Sequence, residues 1–124
     1  MTLWKWMFQL WNWQQFRRKG RYKTLKSIMQ EDNDICYLCG KEANYEDGHL
    51  EEHHVFFGKG NRPISEKYGL KVNLHAFKCH RLGPGSVHKN KMVRRALETK
   101  AQERFEEVHG SRELFYKKFG VNRL

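Results

Sequence analysis

From residue 89 to about residue 109, apolar side chains return every three or four positions: Val93, Leu97, Ala101, Phe105 and Val108. That period lays them along one stripe of a long helix. Gly110 is placed to stop it, and Ser111 to cap a shorter helix carrying Leu114, Phe115 and Phe119. Upstream the period shortens. Leu70, Val72 and Leu74 alternate with polar residues, which predicts a strand with those three inward, and residues 50–56 predict another. The chain between them reads as a flexible basic loop over 58–63 and one helical turn over 65–69, closed by Gly69. Residues 24–30 predict a short helix with Leu25, Ile28 and Met29 inward, broken by Asp32, Asn33 and Asp34.

The first sixteen residues carry all four tryptophans: Trp4, Trp6, Trp11 and Trp13. Helical spacing gathers Leu3, Met7, Leu10 and Trp11 on one face, with Trp4 and Phe8 beside it. Such a helix suits docking on the domain, a membrane interface or self-association. Its polar face holds Gln and Asn more than Lys, which weakens the membrane version. No apolar run approaches the roughly 20 residues that a spanning helix needs. The start also lacks the order of a signal peptide. The expectation is a soluble protein with no membrane partner.

Charge sharpens the picture. Lys and Arg number 24 against 14 acids, a net charge of +10. That balance favours an anionic polymer as partner. Arg17, Arg18, Lys19, Arg21 and Lys23 place five positive charges in seven residues, enough to lie along a phosphate backbone. With 124 residues, the chain is expected to form one small domain with a thin core that a structural metal would help. The composition divides it into a Trp-rich, basic, helical extension over 1–34 and a metal-stabilised domain over 35–124.

Three cysteines cannot all pair as disulfides, and two of them stand as Cys36-x-x-Cys39 before Gly40. This is the form of a zinc knuckle in a reducing cytoplasm. The pattern C-x2-C-x35-H-x3-C adds His75 and Cys79, giving four N/S ligands for a closed tetrahedral zinc. His80 in place of His75 is the rival completion. A second constellation comprises His53, His54, His80 and His88, gathered around the predicted hairpin and the start of the long helix. Most histidines have no ligand role; four so placed point to a catalytic divalent ion.

The quoted segments carry a resemblance. His53-His54-Val55-Phe56-Phe57-Gly58, Ser65-Glu66-Lys67-Tyr68-Gly69-Leu70, Cys79-His80-Arg81, Val87-His88-Lys89-Asn90 and Phe119-Gly120-Val121-Asn122 resemble the HNH, or ββα-metal (His-Me finger), endonucleases. More narrowly, they resemble small HNH-like nucleases of phages and prophages, and are similar to RecA-dependent recombination-enhancement nucleases. The resemblance covers residues 35–122. It implies an α+β fold: a small ββα-metal finger with a zinc knuckle, followed by a long helix and a short C-terminal helix. It implies that His53, His80 and His88 hold a catalytic ion, that His54 is the general base, and that Asn73 is the orienting Asn. The products would carry 5′-phosphate and 3′-hydroxyl ends.

A regular strand points His53 and His54 to opposite faces. Both serve one site only if the strand ends or bulges there. Asn73 stands closer to His80 than the usual middle Asn, and Gly83-Pro84-Gly85-Ser86 lengthens the link from His80 to His88. An all-imidazole set suits Mn²⁺, Ni²⁺ or Zn²⁺ better than Mg²⁺, unless Glu51 or Glu52 turns inward. Lys59, Arg62, Arg81, Lys89, Lys91, Arg94 and Arg95, with the arginines and lysine of the N-terminal run, are the candidate phosphate contacts. The sequence thus predicts a metal-dependent DNA endonuclease of a bacterial host cytoplasm, phage-encoded and working beside a recombination protein or other phage protein. The alternative is a non-catalytic, zinc-stabilised DNA-binding module of a phage complex.

Overall fold

Two five-residue strands, β1 (Leu50–His54) and β2 (Lys71–His75), pair antiparallel with His53 opposite Val72 and His54 opposite Lys71. The computed structural model describes residues 26–124. The connection between the strands contains helix α1 (Asn61–Tyr68). After β2 come a π-helical turn (Ala76–Arg81), helix α2 (Lys91–Val108) and helix α3 (Arg112–Phe119). The result is a small α+β fold with a two-stranded sheet. Among the described residues, no helix is long and apolar enough to cross a membrane. The tryptophans and Arg17, Arg18, Lys19, Arg21 and Lys23 lie outside the described residues.

The core forms where the predicted faces meet. Leu70, just before β2, and Val72 and Leu74 within it are buried as expected, with Leu97, Ala101 and Phe105 of α2 and Phe115 and Phe119 of α3. Phe56, Phe105, Phe115 and Phe119 pack ring against ring, at centroid separations from 4.8 to 6.1 Å. Caps fix the helix starts: Asn90 accepts from the Met92 and Val93 N–H groups, and Ser111 from Leu114.

Several local expectations fail for tertiary reasons. Residues 26–30 form no helix. Instead, Gln30 plugs the open edge of β2: its Oε1 accepts from the Asn73 N–H at 2.9 Å, and its Nε2 donates to the Ile35 carbonyl. This edge pairing outweighs the local helical pattern, and ties residues assigned to the extension onto the domain. The strand at β1 stops at His54, two residues early, where Val55 and Phe56 bend into the core. Helix α1 begins at Asn61 rather than Ser65. Pro63 in its first turn costs no hydrogen bond, since those N–H groups have no intrahelical partner. Val108 is exposed. Its place in the stripe goes to His109, whose Nε2–H donates to the Tyr68 carbonyl at 2.9 Å.

Candidate metal centres and cleft

Two local devices deliver the cysteines. Cys36 and Cys39 sit on a tight turn, in which the Gly40 N–H bonds the Cys36 carbonyl and the Cys36 N–H bonds that of Lys41. Gly40 has φ +76°, a left-handed backbone that glycine adopts without cost. The Tyr37 N–H donates to the Asn73 carbonyl and pins the turn to β2. His75 ends β2 and Cys79 lies one turn on. The four ligand atoms of Cys36, Cys39, His75 and Cys79 all lie within 4.8 Å of one another.

The chemistry of this set fits a metal ion. The His75 Nε2–H donates to the Glu42 carbonyl at 2.7 Å, which leaves the Nδ1 lone pair facing Cys39 Sγ at 3.2 Å. Burial and the neighbouring Cys36 and Cys39 push the Cys79 thiol up to about 12. Burial also opposes ionisation of Cys36, but hydrogen bonds from the backbone at Cys39, His75 and Leu38 outweigh it and hold that thiol low. The cluster is compatible with a structural zinc. Of the two completions left open by spacing, His75 joins the cysteines and His80 does not.

His80 turns the other way. The π-helical turn puts Cys79 toward the thiols and its neighbour His80 toward His53 and His88. Ring nitrogens of those three lie within 4.8 Å of one another. His53 is 4% exposed and His80 7%, whereas His88 is open to solvent. The long glycine-rich link closes without distortion because Val87 and His88 donate to the Cys79 and His80 carbonyls, carrying His88 back beside His80. Gly83 makes that return possible: a Cβ there would meet the Lys78 carbonyl oxygen at 2.2 Å.

One atom stands out. His53 Nε2 is buried and, among the described residues, has no hydrogen-bond partner. An unsatisfied buried polar atom is costly unless something binds it. Burial, then the charges of His80, His88, His54 and Arg62, hold His53 at about 3. Burial and the charges of His80, Arg81 and Arg94 likewise lower His88. Both are therefore neutral, as ligation requires. His80 donates through Nδ1 to Glu51 Oε1 at 3.2 Å, freeing its Nε2. Glu51 also accepts from Arg81 at 3.0 Å. This carboxylate orients the His80 ring and does not join the imidazole set.

His54 faces its own partners. Its Nε2 lies 2.7 Å from Glu66 Oε2, and Glu66 Oε1 accepts from Lys71 Nζ at 2.9 Å. Lys71 also reaches Glu52, at 3.7 Å. Glu52, His54 and Glu66 lie close enough to hold a cation, but the Lys71 ammonium already supplies one. Because β1 ends at His54, both histidines of the doublet still border one cleft of about 540 Å³, with Phe57, Arg62, His80 and His88 on its walls.

Asn73, expected as an orienting residue, lies elsewhere. Its side chain donates to Asn33 on the edge of the sheet. Arg62 and Arg81 line the cleft, and Arg94 is close enough to influence His88. Lys59, Lys89, Lys91 and Arg95 are exposed outside the cleft walls. Sequence reasoning missed Glu66, which stands twelve residues from His54 with no periodic link. Glu51 was legible in part, since positions 51 and 53 share a strand face. Comparison with known protein families, with curated proteins and with solved structures found no match.

Proposed function

We propose that this protein is a metal-dependent DNA endonuclease of the HNH, or ββα-metal, type. The observation that carries the reading is the orphaned, buried Nε2 of His53, set among His80 and His88 in an open cleft that also presents His54. Three imidazoles with one open side match the pattern of a catalytic ion, whereas the buried Cys3His cluster matches a structural one. A divalent ion held by His53, His80 and His88 would supply electrostatic stabilisation of charge developing on a bound phosphate.

The chain's own residues do the rest. Arg62 and Arg81 hold the phosphate backbone, and the net charge of +10 draws DNA to the surface. His54 takes a proton from the attacking water as its oxygen bonds to phosphorus, the bond to the 3′ oxygen breaks, and the leaving 3′ oxygen takes a proton from solvent water. The products carry 5′-phosphate and 3′-hydroxyl ends. Like the phage nucleases that its motifs resemble, the protein acts in phage recombination or DNA processing.

A plasmid-nicking assay across Mg²⁺, Mn²⁺, Ni²⁺ and Zn²⁺ tests this. Nicking is expected with several of these ions rather than with Mg²⁺ alone, because the proposed ligands are all imidazoles. His54→Ala is expected to lower the rate by about 100-fold or more with folding intact. Undiminished cutting by that variant removes the mechanism. The second reading, a non-catalytic zinc-stabilised DNA-binding module, draws on the Cys3His cluster alone. Metal counting separates the two: one tightly held zinc favours the module, and a second, exchangeable ion favours the nuclease.

A further inference from the structure

The doublet needs one proton placed correctly. A neutral imidazole carries its proton on one ring nitrogen and accepts through the other, and its neighbours decide which. We propose that Glu66 fixes His54 as the Nε2–H tautomer, so that Nδ1 is the nitrogen left to accept a proton. This assignment rests on the nuclease reading for its use, though not for its geometry. Glu66 is a positioning residue here, and takes the part that the resemblance gives to Asn73.

Three contacts carry the inference. A carboxylate only accepts, so the 2.7 Å contact to Glu66 Oε2 requires the proton on His54 Nε2. The carboxylate stays ionised and aimed because Lys71, opposite His54 in the register, donates to its other oxygen at 2.9 Å. Helix α1 is itself clamped over the end of β1, where Ser65 Oγ donates to the Phe56 carbonyl at 2.7 Å and the Leu70 N–H to the Ser65 carbonyl at 2.9 Å. Residue 66 therefore follows a buried anchor, and its carboxylate lies between His54 Nε2 and Lys71 Nζ. Among the described residues, Nδ1 of His54 has no hydrogen-bond partner.

Glu66→Gln gives a sharp test. Glutamine presents one oxygen and one NH2 where glutamate presents two oxygens. Lys71 can only donate and keeps the oxygen, so the NH2 faces His54 Nε2, which must then accept. The proton moves to Nδ1. Long-range proton–nitrogen NMR on the full chain labelled with 15N-histidine, at about pH 8 where an ordinary imidazole is neutral, reads this directly. The wild type is expected as Nε2–H and Glu66→Gln as Nδ1–H. In the nicking assay, kcat of the variant is expected to fall about 100-fold, with KM for DNA unchanged.

A wild-type His54 found as Nδ1–H overturns the proposal, and so does a Glu66→Gln protein that keeps Nε2–H. Should that variant fail to fold, the wild-type spectrum decides by itself. A wild type that shows Nε2–H and cleaves no DNA with any metal upholds the Glu66 assignment and overturns the nuclease reading. A protein that nicks DNA with His54 as Nδ1–H overturns the Glu66 assignment alone.

Discussion

At the scale of single residues, the two histidines of the doublet differ in burial. His53 is enclosed and His54 is half-buried beside Glu66. His53→Ala removes the most enclosed nitrogen of the three-imidazole set. Titration of the zinc-loaded protein with Co²⁺ is expected to show one exchangeable site in the wild type and none in this variant. His53 also gives the metal-free protein a pH dependence. Its value of about 3 lies below that of an unfolded histidine, so the unfolded state binds the extra proton first. Stability from this residue is present above about pH 6.5. It is lost as the pH falls from there toward 3, which thermal denaturation of the metal-free protein across that window checks.

At the scale of elements, the π-helical turn and the loop after it form one device that serves both clusters. Cys79 and His80 are adjacent in sequence yet belong to different clusters that could hold a metal ion. The loop from Gly83 to Ser86 returns His88 to His80 through two backbone hydrogen bonds. Gly83→Ala would drive a methyl group into the Lys78 carbonyl and displace that return. The expected cost is about 1–3 kcal/mol by urea denaturation, with weaker Co²⁺ binding than in the wild type. The long helix shows how far periodicity carries. Its apolar stripe predicts Leu97, Ala101 and Phe105 as core residues, and they are. The same stripe is silent on Glu98 and Gln102, which are buried because the C-terminal tail lies on them: Gln102 bonds Asn122 and Arg123, and Glu98 pairs with Arg123.

At the scale of the whole molecule, the core is small and aromatic, and the Cys3His cluster ties its sheet to the segment before it. Phe105 touches Tyr68, His109, Phe115 and Phe119 at once. Phe105→Ala is expected to cost about 3–5 kcal/mol, a large fraction of the stability of a domain this size. Equilibrium urea unfolding measures it. Stripping the ion from the Cys3His cluster with a strong chelator is expected to lower Tm, because a metal bound only by the folded chain adds its binding free energy to folding. An unchanged Tm on chelation would remove the structural role of that cluster.

By itself, the sequence determined which residue types were available to bind metal, the face that β2 and the long helix would bury, and the Ser111 cap. These follow from local periodicity and from ligand chemistry, which act over a few residues. Tertiary structure decided how the histidines were brought together. The sequence prefers His75 for the thiols because His80 has a second use, and the fold places both: β2 ends at His75 beside the cysteines, and the π-helical turn sends His80 to His53 and His88. The early end of β1 lets both members of the doublet border one cleft, and the bend of Val55 and Phe56 into the core sets that end. Glu66 reaches His54 because Ser65 is bonded to Phe56, and Asn73 is drawn to Asn33 along the sheet edge. Contacts of this kind join residues far apart in the chain, where neither period nor spacing records which pair will meet.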